Sequence, residues 1–393
     1  MMVIRRVLAA RALRAFADGF IAVLLPAYLL ALGLGQLEVG FISTATLLGS
    51  ALATLAVGRW GHRYSIRRLL LGTSLLMAAT GLAFAGLSSL WPLLLVAFVG
   101  TLNPSSGDVS VFLPLDHTLL AAAAPADART SVFARYSFAG SLFGAIGALA
   151  AAVPEWLAAR GALSMLEALR AMFVLYGAVG VAVWALYLRL PDAHVEETKP
   201  AAPLGPSRSI VWRLAGLFSL DSFAGGLIVN SLLALWLFER FGMSLTAAGA
   251  FFFWTGLLSA VSQLAAPVVA RRIGLINTMV FTHIPANLCL IGAALAPTLE
   301  LALGLLLARS ALSQMDVPAR SAFVMTVVTP EERPAAASFT AVPRSLASAL
   351  SPSLTGAMFA AGAMAAPLVI CGCLKTAYDL ALFAAFRRAE PRA

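Results

Sequence analysis

The chain has 393 residues, 61% hydrophobic and 11% charged, against roughly 45–50% and about 25% in an ordinary soluble protein, which excludes a water-soluble globule. Its 27 Lys and Arg exceed its 18 Asp and Glu by +9, yet these cations are scattered between long apolar runs and form no basic face or arm, so nucleic acid is excluded as a partner. Three cysteines, Cys289 in an apolar run and Cys371 and Cys373 two apart on one predicted helix, give neither a disulfide framework nor a metal site.

A membrane-spanning helix needs about 20 apolar residues. Taken in chain order, apolar runs broken by Arg, Pro or Gly predict twelve spans, at residues 11–33, 38–58, 66–87, 92–122, 130–153, 171–188, 212–238, 247–269, 275–296, 299–328, 334–361 and 366–386. The apolar stretch Phe20 to Leu34 follows Asp18 and has no small-x-small cleavage site behind it, so the first is read as a retained span. With the N-terminus placed in the cytoplasm, nineteen Lys and Arg fall in inner segments and three, Arg160, Arg170 and Arg240, in outer ones. Cations flanking spans resist translocation, so both termini are expected inside.

The one long polar connection, Pro191 to Ser209, carries Asp192, Glu196, Glu197 and Lys199 and then Pro200, Pro203 and Pro206, a linker composition. It divides six spans from six, predicting an all-α membrane protein in two repeated halves, 1–190 and 210–393, joined by a cytoplasmic linker at 191–209. Pro114 and Arg129 stand 204 positions before Pro318 and Arg333, and Asp18 stands 203 before Asp221. An ungapped register sets Asp116 against Arg320 and Phe112 against Asp316, whereas a short gap pairs Asp108 with Asp316 instead; the sequence leaves both open. Two repeated six-helix halves are the build of many secondary transporters.

The loop Gly58-Arg59-Trp60-Gly61-His62-Arg63-Tyr64-Ser65-Ile66-Arg67-Arg68 resembles the inner-loop signature of the major facilitator superfamily (MFS), G-x-x-x-D-R-x-G-R-R/K, with a degenerate echo at Arg271-Arg272-Ile273-Gly274. Gly58, Arg63, Arg67 and Arg68 match it; His62 replaces the family Asp, and Ser65 and Ile66 replace Gly and Arg. Thr329-Pro330-Glu331-Glu332-Arg333 is also similar to that superfamily. The resemblance implies a monomeric secondary transporter of the inner membrane of a bacterium, working by alternating access on a small-molecule substrate with H+ as coupling ion, surrounded by membrane lipid and using no cofactor. Proton-coupled efflux is the implied direction, with proton-coupled uptake or exchange of an organic anion as the alternative. Drug exporters of the family carry an Arg on the fourth span and a Gly-Pro pair on the fifth. Here the fourth has no Arg, and the fifth has Gly140, Gly144 and Gly147 without Pro, while Arg309, Gln314, Pro352 and Gly356 on the tenth and eleventh come nearer that pattern.

An ionisable group in hydrocarbon costs at least ~2.5–3.5 kcal/mol, so it pairs, faces water or serves function. Asp316 lies 14 residues before Pro330 and Asp108 lies 17 before Pro125, depths of about 21 and 25 Å at 1.5 Å per residue. Arg309 and Arg320 share a face with Asp316, and Arg320 is one turn away; the pair is either a structural tie or a breakable coupling contact. Asp18 and Asp221, mirrored in the halves, are proton carriers or interfacial acids. Arg344, 11 residues beyond Arg333, is a candidate cavity cation. Arg309, Arg320 and Arg344 together form the expected clamp for an anion, with Asn230, Gln263, Gln314 and Ser106 as neutral polar contacts. Asp116 and His117 are expected at a gate, and Arg135 as a snorkelling residue. His283, and Lys375 with Asp379, fall on helices that the resemblance puts outside the cavity, and are expected to pack or snorkel. Asn103-Pro104-Ser105-Ser106-Gly107-Asp108 and Pro318 should interrupt the fourth and tenth helices. No paired His ligands at i,i+4, G-x-S-x-G or phosphate loop points to an enzyme; a scramblase or channel is the other rival class.

Overall fold

The computed structural model describes residues 2–105, 110–125, 128–192 and 204–387, and all regular structure among them is helical. In order these are α1 (Met2–Ala31), α2 (Gln36–Trp60), α3 (Ile66–Gly86), α4 (Leu90–Val99), α5 (Phe112–Ala123), α6 (Arg129–Leu149), α7 (Val153–Ala159) and α8 (Met165–Tyr187). The remainder are α9 (Arg208–Gly226), α10 (Asn230–Phe241), α11 (Leu245–Ile273), α12 (Leu275–Ala294), α13 (Leu299–Leu312), α14 (Asp316–Val327), α15 (Arg333–Ala360) and α16 (Ala366–Phe386). Nine helices among the described residues, counting 208–241 as one, are long and apolar enough to cross a membrane. The pairs α4–α5 and α13–α14, and α15, occupy the stretches of the other three expected spans, consistent with twelve. Large apolar side chains such as Trp91, Leu95, Leu264 and Leu288 are exposed, as lipid-facing positions require.

Breaks in the helices have local causes. The tenth span opens at 313–315, just before Pro318, whose ring would clash with the carbonyl four residues back, at Gln314. The fourth opens between Val99 and Phe112, where Ser105 donates from its backbone N–H to Asn103 Oδ1 at 3.1 Å. The seventh, expected to be continuous, breaks at 227–229. A Cβ at Gly226 would strike Ser351 Oγ and the Ser348 carbonyl, so the helices close to a distance only glycine permits. Thr355 Oγ1 then donates to the freed Leu227 carbonyl at 2.8 Å. Ser65 and Ile66, the departures from the inner-loop signature, have structural work: Ser65 Oγ caps α3 by accepting from the Arg68 N–H at 3.3 Å, and Ile66 is buried.

The chain forms two compact units, Met1–Glu197 with Val229–Phe253, and Thr198–Ile228 with Trp254–Ala393. In the first, α1 packs on α6, α8 and α10, and α3 on α8. Gly19 meets the Gly144 carbonyl and Gly147 the Phe16 carbonyl, so the glycine stripe of the fifth span serves helix packing. In the second, α9 packs on α15 and α16, and α12 on α13, α14 and α16. The pairings α1–α6 and α3–α8 are thus repeated as α9–α15 and α12–α16, the two-fold repeat expected from the sequence.

Candidate functional site

Each unit buries a charged cluster. In the first, Arg14 on α1 pairs with Asp116 on α5 at 2.5 Å, with 4% and 0% of their side-chain surfaces exposed. The carboxylate also accepts from Tyr136 (2.9 Å) and Tyr187 (3.0 Å), and Arg14 donates to the Tyr187 hydroxyl and stacks over Phe112 at 4.2 Å. Three donors thereby converge on the carboxylate, two on Oδ2 and one on Oδ1. Asp18, one turn past Arg14, is buried and within electrostatic range of Tyr176. His117 lies edge-on to Phe133 and Tyr136.

In the second unit, charges alternate along a row. Asp316 and Arg320, both on α14, form the i,i+4 pair. Arg320 reaches Asp221 on α9 at 3.1 Å, and Asp221 binds Lys375 on α16 at 2.5 Å. Arg320 also lies over the Phe218 ring at 5.4 Å. This row is less saturated: Arg320 Nε and Nη1 and the Tyr378 hydroxyl are sealed from solvent with no hydrogen bond among the described residues. One turn beyond Lys375, Asp379 accepts from Asn287 at 2.9 Å and meets His283 Nδ1 at 3.0 Å.

Asp316 and Arg320 are therefore paired as their spacing suggested, and Asp221, which the sequence offered only as the mirror of Asp18, joins them. Arg344 on α15 stands nearby, its Nε donating to Ser222 Oγ at 3.1 Å, with no carboxylate within 4 Å among the described residues. Arg309 departs from the expected clamp. It is within electrostatic range of Cys371 and Cys289, on α16 and α12, and makes no hydrogen bond or ion pair with a described residue. Gln314 accepts from Gln263 Nε2 at 3.4 Å. Asn230 opens α10 and belongs to the first unit. Asp108 lies outside the described residues. On the inner loop, Gly58 and Arg63 are exposed, the Arg68 backbone joins the Ser65 cap, and Arg67 donates to the Leu188 carbonyl at 2.7 Å and lies 3.9 Å from Asp192.

Of the groups expected to pack or snorkel, Lys375 is buried against Asp221, and His283 and Asp379 form a buried pair. Asp116, expected at a gate, is the anchor of the first cluster. Arg14, counted among the inner flanking cations, is its partner. The ungapped register that sets Asp116 against Arg320 held the available signal. Both residues are the fourth-or-tenth-helix partner of a charge on the first or seventh helix, with the signs exchanged.

Outside the spans, Glu332 clasps the entry to α9. It accepts from the Ser207 N–H at 3.2 Å, from the Gly205 N–H and from Thr329 Oγ1 at 3.0 Å. Hydrogen bonds from Ser207, then Gly205 and Thr329, hold its carboxyl below the ordinary glutamate value of 4.5.

A repeated helical bundle with charges buried at span depth defines a multi-pass membrane transporter. The family described as Major Facilitator Superfamily matches residues 7–315, and the chain belongs to that family, whose members are transporters and not enzymes. An uncharacterized membrane protein of Saccharomyces cerevisiae, YJR124C, is 23% identical, with 95% of this chain and 92% of that protein covered. Among solved structures, the inward-open xylose transporter XylE from E. coli aligns with a TM-score of 0.75 at 15% identity, covering 99% of this chain and 97% of that one. The nucleoside transporter NupG aligns with a TM-score of 0.75 at 15% identity over 98% and 100% of the two chains. A bacterial homologue of the lysosomal transporter Spinster gives 0.72 at 16% over 98% and 94%. At these identities the likeness concerns the fold.

Proposed function

We propose that this transporter is proton-coupled and exports a small organic solute across a bacterial inner membrane by alternating access. It works as a monomer with both termini cytoplasmic, and its halves, 1–190 and 210–393, are joined through 191–209. The observation that carries the reading is the row Asp316–Arg320–Asp221–Lys375. Paired in this way, two carboxylates and two cations are neutral as a set. Taking up one proton on either carboxylate leaves a cation uncompensated in a low-dielectric setting, which must be met by new contacts or by repacking. A proton thus has a direct lever on the contacts among α9, α14 and α16. Asp18, alone among the acids on α1, is the corresponding candidate in the first unit. Uptake or exchange of an organic anion is the second reading, favoured by the carboxylate-binding edge of Arg344, which has no partner among the described residues.

The test is transport in proteoliposomes under an imposed pH gradient. Replacing Asp221 by Asn is expected to abolish gradient-driven accumulation while solute exchange at equal pH survives. Accumulation by the parent that ignores the pH gradient would overturn proton coupling, and equilibration without accumulation would favour a channel or scramblase.

A further inference from the structure

Arg344 is the one group of the second cluster whose chemistry the row does not use. Its side chain enters from α15, 11 residues beyond Arg333, about 16 Å along the helix at 1.5 Å per residue. The close approach of α9 and α15 at Gly226, Ser348 and Ser351 fixes its neighbour Ser222. Nε donates to Ser222 Oγ at 3.1 Å, which orients the guanidinium plane and leaves the Nη1–Nη2 edge with no hydrogen bond or carboxylate among the described residues.

Its electrostatic neighbours are Arg320, Asp221, Asp316 and Tyr378. Of these, Asp316 is taken by Arg320, and Asp221 by Arg320 and Lys375, while Asp379 is taken by His283 and Asn287. Arg320 and Lys375 are thus the cations that hold Asp221 and Asp316, and Arg344 is the cation beside them with an open fork. The side chain of Arg344 is only partly buried, whereas Arg320 Nε and Nη1 are sealed. Of the three arginines expected to clamp an anion, Arg309 makes no ion pair among the described residues and Arg320 is spent on two acids.

We propose that Arg344 receives the head of the transported solute, a monoanionic oxyacid group such as a carboxylate, bound end-on by Nη1 and Nη2 with Ser222 holding the guanidinium in plane. A planar guanidinium matches a carboxylate through two parallel N–H···O bonds, and its one positive charge suits a monoanion. The proposal rests on the transporter reading above and names its substrate class.

The experiment is thermal melting of the full-length protein in detergent with benzoate, dodecanoate, benzamide, dodecanamide and sulfate, for the parent, R344Q, R344K and S222A. At least one carboxylate is expected to raise the parent's melting temperature saturably while its amide does not. The shift should vanish in R344Q. In R344K, which keeps the charge and loses the fork, the apparent affinity should fall about tenfold or more, and in S222A by roughly a few-fold. A benzoate response identifies a water-soluble acid and a dodecanoate response a lipid-like one, and either supports the proposal. No carboxylate stabilising the parent beyond its amide, an equal shift in R344Q and R344K, or stabilisation by sulfate alone would overturn it. Arg344-dependent binding without pH-driven transport would leave this inference standing and remove proton coupling. Proton coupling without Arg344-dependent binding would do the reverse.

Discussion

The two buried charge clusters occupy corresponding helices of the repeat, yet they are built to opposite ends. Around Asp116, one cation and two phenol hydroxyls converge on one carboxylate. Around Asp221, two cations serve two carboxylates in series, and Arg320 Nε and the Tyr378 hydroxyl make no hydrogen bond among the described residues. A saturated pair has one good arrangement and resists change. A shared row has several arrangements close in energy, because each middle member keeps a partner when one neighbour leaves. On the proposed reading, the tie falls to the first cluster and the exchange chemistry to the second.

The largest expected effect follows from saturation. Arg14→Gln strands the Asp116 carboxylate, and in buried pairs such a change costs about 3–5 kcal/mol. The expected result is a large fall in detergent melting temperature, and a variant that melts like the parent would break the comparison. Lys375→Met should cost less, about 1.5–3 kcal/mol for a charged hydrogen bond, because Arg320 still holds Asp221. Equal losses from the two changes would mean that the row is no more tolerant than the tie.

Smaller effects sharpen the contrast. Tyr187→Phe removes a hydroxyl that both donates to Asp116 and accepts from Arg14, and should lower stability by about 1–2 kcal/mol. Tyr378→Phe removes a hydroxyl with no hydrogen bond among the described residues and should be near neutral or slightly stabilising; melting of the two variants side by side checks the difference. The smallest effect is pH-dependent. Because the Glu332 carboxyl is held below its ordinary value of 4.5, its contribution is complete above that pH and is lost as pH falls through the lowered value. Hydrogen exchange in the first turn of α9 should therefore quicken below about pH 4.5 beyond its intrinsic change, and Glu332→Gln should remove the extra dependence.

The spans were legible because hydrocarbon imposes a length on every crossing helix, and the breaks in the fourth and tenth because Asn-Pro and Pro318 carry their cause in place. The break in the seventh was not. Gly225-Gly226 resembles any glycine pair in a span, and what makes it open, Ser348, Ser351 and Thr355, lies more than 120 residues away. The Asp316–Arg320 pair followed from depth arithmetic and i,i+4 spacing, whereas Asp221, singled out in the sequence only as the mirror of Asp18, was not expected to join it. Lys375 was missed because its helix was judged by the place the family resemblance gives it, while its partner Asp221 stands 154 residues earlier. Arg14 was missed because a cation near a helix's inner end counts toward topology by default, and nothing local distinguishes a flanking arginine from a buried one.

The central claim, that the row in the second unit couples solute movement to protons, is tested most directly by the double variant Asp316→Asn/Arg320→Gln. This change leaves the Asp221–Lys375 pair intact, so stability is expected to return close to the parent's while either single change lowers it. Proteoliposomes loaded with a pH-sensitive dye then report proton flux as organic solutes, carboxylates among them, are added outside. The account predicts solute-dependent proton movement by the parent and none by the folded double variant. Proton movement that survives in the double variant, or solute movement by the parent with no proton flux at all, would contradict it.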